Sequence, residues 1–186
     1  NTHGVPLDVI RKMLQRFQSN EKVWAEFNKP KSVEKVIERV VWNDNLPTCI
    51  ISDLDGTLAL FSKEDRSPYD TAKCENDRLN SHMGGVFDYT RMCGFSIFLM
   101  SGRDEEFRPH TERWLKKHNV LYNGLFMRKM GDKRKDSIVK LELFEENIRN
   151  KYNVDSVYED RFQVQKECWN QLGLFVFNVN QELKEF

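Results

Sequence analysis

The sequence lacks the features that define several large classes of protein. Its 186 residues contain no apolar run near the roughly 20 residues that a membrane-spanning helix needs, and no signal peptide is evident. Basic and acidic residues balance at 29 each, so the overall charge gives no support for a nucleic-acid partner and any basic surface has to be local. We therefore expect a cytoplasmic protein that does not contact a membrane.

Cysteines and histidines are few, at four each, and they are widely spaced. Because no C-x-x-C pair occurs, the spacing argues against zinc ligation and favours free thiols in a reducing compartment over disulfides. The phosphate-binding pattern G-x-x-x-x-G-K-[ST] is also absent, so a reaction driven by a nucleoside triphosphate is not expected within this chain. The chain begins at Asn1 and not at methionine, which suggests a piece of a longer protein.

Composition and breaker residues divide the chain into two parts. Apolar residues at helical spacing predict a helix from Pro6 to Phe27, and a second, short helix is predicted to begin at Ser32. A loop at residues 43–47 then separates these helices from a series of strand-like apolar segments. We therefore predict a helical extension over residues 1–46 and one α/β domain over residues 47–186.

The most informative stretch follows the first apolar strand of the α/β part, Cys49–Ile51. Asp53 and Asp55 come next, and Gly56 and Thr57 follow them. Carboxylates at the end of a strand in an open α/β sheet lie where ligands bind, and they repel each other unless a cation or a proton lies between them. A divalent metal ion with a phosphoryl group is the natural occupant of such a place.

Three later apolar segments also end in polar residues, and they read as further strands of the same sheet. A hydroxyl with adjacent backbone amides suits a phosphoryl oxygen, and a second carboxylate pair completes a site of oxygen ligands for a hard cation. The segments are Phe95–Met100, Leu125–Met127 and Val154–Tyr158, and they are followed by Ser101 with Arg103, by Arg128, and by Glu159 with Asp160. A basic loop after Arg128 contains Asp132 and Lys135 and leads into a helix.

The order of these motifs resembles that of the haloacid dehalogenase superfamily of aspartate-nucleophile phosphatases. Its four motifs correspond to Asp53-Leu54-Asp55-Gly56-Thr57, Ser101, Lys135 and Glu159-Asp160. The resemblance implies a Rossmann-like α/β fold with a central, mostly parallel sheet flanked by helices. Short intervals between the motifs leave room for only a minimal cap, and an open site suits a bulky substrate such as a polynucleotide end.

The sequence is similar in particular to the 3′-phosphatase domain of phage polynucleotide kinase-phosphatases, which heal broken RNA and DNA ends. The similar stretches are Asp53–Ala59, Pro68–Asp70, Ser101–Arg103, Gly131–Asp136 and Glu159–Arg161. The fourth motif has Glu159 where the phage enzyme has a first aspartate, and residues 20–46 do not match it clearly. Residues 4–9 resemble the end of the kinase domain, so we expect a phosphatase module whose kinase partner is absent from this chain.

The resemblance also implies a role for each motif residue. Asp53 would be the nucleophile, Asp55 the general acid and base, and Ser101 and Lys135 the groups that hold the transferring oxygens. A Mg²⁺ ion would be bound by Asp53, by the Asp55 backbone carbonyl, by Asp160, and by Glu159 directly or through water. The positions expected around the substrate phosphate are Thr57, Arg66, Arg103, Arg128 and Asp132. Two of these have alternatives, since Arg103 also suits a brace and Asp132 a helix cap.

We therefore expect a magnesium-dependent polynucleotide 3′-phosphatase that acts on RNA or DNA ends, with 2′,3′-cyclic phosphate ends as a further candidate substrate. Two alternatives remain open. One is a small-metabolite or nucleotide phosphatase with the same chemistry. The other is a non-catalytic module that binds nucleic-acid ends or forms a homo-oligomer.

Overall fold

The computed structural model describes residues 6–19, 37–61, 67 and 70–180, and the fold is given for these residues. The chain forms two compact units, Asn1–Val36 and Ile37–Phe186. The first contains helix α1 (Leu7–Gln18), with Asp8 in its first turn and Arg16 in its last, as the helix dipole favours. The rest of the predicted long helix and the short helix from Ser32 lie outside the described residues. The domain boundary after residue 46 stays a prediction.

The second unit is built on a five-stranded sheet in which every pair of neighbouring strands is parallel. Its strands are β1 (Thr48–Ser52), β4 (Ser96–Asp104), β5 (Gly124–Arg128), β6 (Asn153–Glu159) and β7 (Val176–Asn178). Their order across the sheet is β5-β4-β1-β6-β7, so the chain reverses its direction of winding at β1. In such sheets, ligands bind outside the carboxyl ends of the strands at this point of reversal.

The residues of β1 explain why it lies in the centre of the sheet. Cys49 and Ile51 contact one hydrophobic core, Ile50 contacts the other, and all three are buried. A strand covered on both faces needs a continuous apolar run, and the sequence provides one.

Helices cover both faces of the sheet. Helices α2 (Ser81–Met92) and α3 (Arg108–Lys117) contribute Phe87 and Trp114 to one core. Helix α4 (Asp136–Asn147) covers the other core with Phe144. Helix α5 (Phe162–Val164) continues as a π-helical turn through Gln165–Trp169, and Trp169 of this turn packs in the same core. Short 3₁₀ helices span Thr71–Asn76 and Glu105–Phe107. None of the helices described here is long and apolar enough to span a bilayer.

Local structure departs from the sequence prediction at three places. The glycine pair Gly84-Gly85 predicts an interruption of the helix that ends at Met92, but α2 runs through both glycines without a break. Met83 and Phe87 bury their side chains in the core, and Asn80 caps the first turn by accepting from the His82 N–H. Strand β4 extends to Asp104, so the Ser101 motif lies within a strand and not after it. A small antiparallel pair, β2 (Ala59–Leu60) with β3 (Arg78–Leu79), was not predicted.

Candidate active site

Polar side chains converge at the carboxyl edge of the sheet, where β1 ends at Ser52. The Asp53 backbone N–H donates to the Tyr158 carbonyl on β6 at 3.0 Å, which continues the pairing of the two strands by one residue. This pairing brings Asp53 close to the end of β6. As a result, one carboxylate oxygen from each of three buried residues lies within 4.8 Å of the others, and these residues are Asp53, Glu159 and Asp160.

A buried lysine lies against this acidic group. The side chain of Lys140 on α4 is 0% exposed, and its Nζ lies 3.0 Å from Asp53 Oδ1 and donates to Glu159 Oε2 at 2.7 Å. Lys135, for which this position was predicted, precedes the first turn of α4, is 62% exposed, and lies 3.4 Å from Glu167. Successive turns of a helix present side chains on the same face, and Lys140 stands one turn inside α4, where that face meets the sheet. The structure therefore places Lys140 beside Asp53, whereas Lys135 pairs with Glu167.

Glu159 accepts three hydrogen bonds from groups within the protein. Its Oε2 accepts from Lys140 and from the Trp169 indole N–H at 3.1 Å, and its Oε1 accepts from the Arg161 backbone N–H at 3.3 Å. The residue is 1% exposed. These contacts join Glu159 to Lys140, a partner that the sequence did not indicate.

Negative charge is in excess in this group. Three carboxylates, those of Asp53, Glu159 and Asp160, face the single ammonium of Lys140, which leaves a formal charge of minus two. Burial raises the pKa of Asp53 well above its usual range, Lys140 opposes this, and Glu159 adds to it. Burial and then the charge of Glu159 raise the pKa of Asp160 to about 7. Burial would lower the pKa of Lys140, but Asp53 and Glu159 outweigh it and raise that pKa.

The donors present fit a magnesium ion. Asp53 and Asp160 provide hard carboxylate oxygens, and the group that contains them has an excess of negative charge. Gly56 has φ of +79°, and a Cβ at this position would lie 2.1 Å from Asp160 Oδ2. Glycine is therefore required for the turn and also for the close approach of Asp160. Thr57, predicted to bind substrate, is buried, and its hydroxyl donates to Asp160 Oδ1 at 3.5 Å.

Asp55 belongs to a second ion network on the other side of Asp53. Arg103 holds its carboxylate at both oxygens, with Nε donating to Oδ2 at 2.7 Å and Nη2 donating to Oδ1 at 2.8 Å. Two further hydrogen bonds of Arg103 reach Thr111 Oγ1 at 3.1 Å and Asp77 Oδ2 at 3.3 Å. Burial would lower the pKa of Arg103, but the neighbouring Asp55 raises it overall. Since the Asp55 side chain is still 29% exposed, Arg103 braces an accessible carboxylate. Sequence reasoning missed both Asp77 and Thr111.

Arg128 also makes its hydrogen bonds within the protein. Its Nε donates to the Gly102 carbonyl at 2.8 Å, and its Nη1 donates to the carbonyls of Asp132 and Arg134 at 3.1 and 2.8 Å. Its Nη2 donates to Asp136 Oδ1 at 3.1 Å. Arg128 thus closes the loop after β5 onto β4. Ser101 is fully buried on β4, where its Oγ accepts from the Arg103 backbone N–H at 3.2 Å.

Asp132 does not join the carboxylate group. Both of its oxygens accept from Arg134, whose hydrogen bonds lower the pKa of Asp132 to about 2, and Arg134 also pairs with Glu142. Asp136, which sequence reasoning missed, takes its place: it is nearly buried and contacts Arg128, Arg161 and Lys140. The sequence feature that could have indicated Asp136 is its i, i+4 spacing from Lys140 on one helix. Arg66 lies outside the described residues.

Comparisons with known proteins agree on one family. A family model described as the polynucleotide kinase PNKP phosphatase domain matches residues 47–183. Over 169 residues, the chain is 33% identical to a protein named as a bifunctional polynucleotide kinase/RNA ligase in Autographa californica nuclear polyhedrosis virus. That match covers 89% of this chain and 24% of the viral protein.

Two solved structures are similar in fold and sequence. One is the Pnkp1/Rnl/Hen1 complex, with a TM-score of 0.72 and 37% identity over 79% of this chain and 50% of the matched chain. The other is the Pnkp1/Rnl/Hen1 RNA repair complex, with a TM-score of 0.72 and 34% identity over 94% of this chain and 56% of the matched chain. The chain therefore spans about half, or less, of the length of the relatives it matches.

Proposed function

The chain belongs to the family of polynucleotide kinase PNKP phosphatase domains and is a phosphatase, and from this premise we propose that it removes 3′-phosphates from RNA or DNA ends with the help of Mg²⁺. The observation that carries the proposal is the geometry at Asp53. This buried carboxylate lies 3.0 Å from Lys140, within 4.8 Å of an Asp160 oxygen, and two residues before an accessible Asp55.

The reaction takes place in two displacements. In the first, Asp53 attacks phosphorus, the bond to the ribose 3′ oxygen breaks, and Asp55 donates a proton to that oxygen, which leaves an aspartyl-phosphate. In the second, Asp55 takes a proton from a water molecule that attacks the same phosphorus, and phosphate leaves while Asp53 is regenerated. Arg103 supports both steps because its bidentate contact fixes the plane of the Asp55 carboxylate.

Three groups stabilise the charge on the transferring oxygens. Lys140 supplies a buried ammonium, and Ser101 supplies a hydroxyl next to the backbone of Gly102. Asp53 and Asp160 would hold the Mg²⁺ ion, which when bound offsets the repulsion between the carboxylates and the phosphate. Asp136 and Glu159 position Lys140 from two sides, at 3.5 and 2.7 Å.

A polynucleotide end is the proposed substrate for two reasons. The relatives are named for polynucleotide kinase, RNA ligase and RNA repair, so we propose that this domain works beside other end-healing activities. A large substrate also fits the short interval between β1 and α2, in which the described elements are the small β2–β3 pair and the 3₁₀ helix Thr71–Asn76.

The test is phosphate release from one oligonucleotide prepared with a 3′-phosphate, a 5′-phosphate or a 2′,3′-cyclic phosphate end, with Mg²⁺ or EDTA. We expect release from the 3′-phosphate in the presence of Mg²⁺ and none in the presence of EDTA. Asp53→Asn is expected to reduce this release by at least about 10⁴-fold, as removal of a covalent nucleophile does elsewhere. The Lys140–Glu159 contact remains in this variant, so circular dichroism should report a folded protein. Equal release from both linear isomers, or release from small phosphate esters alone, would favour the metabolite phosphatase instead.

A further inference from the structure

Among the described residues, two tryptophans are almost completely buried, and their indole N–H groups have different acceptors. Trp114 is 0% exposed and donates to the backbone carbonyl of Asp77 at 2.8 Å. Trp169 is 1% exposed and donates to a carboxylate oxygen, Glu159 Oε2, at 3.1 Å. A buried indole N–H needs an acceptor, but a backbone carbonyl is sufficient for this. Satisfying the indole therefore does not by itself explain why Trp169 lies against the carboxylate of Glu159.

The backbone around Trp169 is also unusual. Gln165–Trp169 forms a π-helical turn, whose wider hydrogen bonding joins the Asn170 N–H to the Gln165 carbonyl at 2.8 Å. Such turns are rare and occur frequently at functional sites. The Gln165 side-chain amide donates to the Glu159 backbone carbonyl at 2.8 Å. The turn thus contacts Glu159 at its main chain through Gln165 and at its side chain through Trp169.

Glu159 Oε2 links Trp169 to Lys140. It accepts from both residues, from the indole N–H at 3.1 Å and from the Lys140 ammonium at 2.7 Å. A carboxylate oxygen has about two lone-pair directions, so the indole N–H occupies one of them and leaves the other to Lys140. The other oxygen, Oε1, accepts from the Arg161 backbone N–H. The Lys140 ammonium placed in this way lies 3.0 Å from Asp53 Oδ1.

We propose that Trp169 is a positioning residue: its indole N–H fixes the Glu159 carboxylate, which in turn directs the Lys140 ammonium. The ammonium then faces the phosphate that Asp53 attacks. This inference rests on the proposed function and adds to it a residue that acts on the reaction through two others. An ammonium on a flexible stem takes its place from the acceptors around it, whereas an indole is rigid and donates in one direction. Trp169 is therefore suited to orient the acceptor of Lys140.

A role in packing alone would have a different signature. Trp169 also packs in the hydrophobic core, with its ring centroid 6.3 Å from that of Phe144. Trp169→Phe keeps an aromatic ring in this core and removes the N–H. If packing were the whole role, this change would affect stability and leave kcat unaltered.

The first experiment measures kcat and KM for a 3′-phosphorylated oligonucleotide and for a small phosphate ester. For Trp169→Phe, we expect kcat to fall by about tenfold on the oligonucleotide while KM changes less than about threefold, because the lost hydrogen bond acts only through Lys140. Cys168→Ala is the matched control, since this buried residue lies on the same turn and packs in the same core. It should keep kcat within about twofold of the natural value.

Two further measurements connect the effect to Lys140. In a Lys140→Met background, Trp169→Phe should cause no further loss of kcat, because groups that act as one unit are not additive. In protein labelled isotopically on its indole nitrogens, the NMR resonance of the Trp169 N–H should shift in Lys140→Met, whereas that of Trp114 should not. The NMR measurement does not depend on turnover.

Three results would overturn the inference. An unchanged kcat in Trp169→Phe would do so without any second substitution, and so would an equal loss in Cys168→Ala, which would assign the effect to packing. A further loss of kcat in the Lys140→Met background would show that Trp169 acts by another route. Failure of the proposed function would look different, since the natural protein would then hydrolyse the small ester and not the oligonucleotide. The comparison of Trp169→Phe with Cys168→Ala would still be made on that ester.

Discussion

Asp53 and Asp55 each lie against a buried cation, but the two cations are held in different ways. Arg103 makes hydrogen bonds to two carboxylates and a hydroxyl, and its planar fork fixes Asp55 at both oxygens. Lys140 is a compact charge among carboxylates that outnumber it, and the pKa values of Asp53 and Asp160 are raised as a result of burial and of this excess.

This difference indicates that the network around Asp55 holds a side chain in place, whereas the network around Asp53 binds ligands. A network whose donors and acceptors are matched holds a group in one geometry, as around Asp55. A buried network with two uncompensated negative charges instead gains free energy when a cation or a proton enters it, as around Asp53. We infer that the Lys140 network accepts the metal and the phosphate, while the Arg103 network keeps the acid–base residue in place.

Among the predictions for these two networks, the largest effect on kcat is expected when Lys140 is replaced. Lys140→Met should reduce kcat by about 10²–10³-fold, because it removes an ammonium that faces the transferring oxygens. It should also lower the free energy of unfolding by about 3–5 kcal/mol, since Asp53 and Glu159 lose their buried partner.

Lys135→Met is the matched control for this prediction. Its pair with Glu167 is exposed, so its loss should change the free energy of unfolding by no more than about 1 kcal/mol and kcat by less than about threefold. Phosphate release and urea unfolding measure both variants. A larger loss of kcat in the Lys135 variant would return the catalytic role to that residue.

A smaller effect is expected from Arg103→Lys, which keeps the positive charge but removes the two planar N–H donors that contact both Asp55 oxygens. We predict that kcat falls by about 10–100-fold while KM changes less than about threefold, because Arg103 positions Asp55 and does not contact the substrate. Steady-state kinetics with a 3′-phosphorylated oligonucleotide separates the two parameters. A rise in KM without a fall in kcat would show that Arg103 binds the phosphate itself.

The smallest effect concerns pH and metal binding. In the absence of metal, the folded protein holds a proton on Asp160 up to a pH of about 7, compared with an ordinary value of 3.8. The folded pKa is the higher one, so this group's stabilising contribution is complete below pH 4 and is lost as pH rises through 7. Mg²⁺ replaces the proton, and it should therefore raise the melting temperature more at pH 8 than at pH 6.

We expect a Mg²⁺-dependent increase of about 5 °C at pH 8, and less than half of that at pH 6, by differential scanning fluorimetry. Asp160→Asn should abolish the increase, and Asp132→Asn, which changes an acidic residue outside the carboxylate group, should preserve it. The same increase at both pH values would contradict the assignment of Asp160 as a metal ligand.

The sequence alone predicted a central, mostly parallel sheet, and the polar residues that follow its apolar strands indicated the edge at which Asp53, Asp55 and Asp160 lie. It did not distinguish Lys135 from Lys140. The two lie about one helical turn apart, and the difference depends on where α4 begins. A signal was present, since Lys140 falls among Val139, Leu143 and Phe144 on the buried face of that helix.

The choice between the two roles considered for Arg103, and the contacts of Arg128, could not be predicted for another reason. Whether an arginine braces a site or binds a ligand depends on how many of its N–H groups the folded protein already uses. Their acceptors include the carbonyl of Gly102 and the side chain of Thr111, and neither can be paired with a particular arginine before the tertiary structure is known.

The central claim is that Asp53 becomes phosphorylated at the Lys140 network, and it is tested by trapping. A single turnover with a 3′-phosphorylated oligonucleotide and Mg²⁺ is quenched, reduced with borohydride, and analysed by peptide mass spectrometry. An acyl-phosphate at Asp53 is reduced to homoserine, and we predict this conversion at Asp53, only in the presence of substrate and Mg²⁺. Turnover without conversion of Asp53, or conversion at another carboxylate such as Asp55 or Asp136, would contradict it.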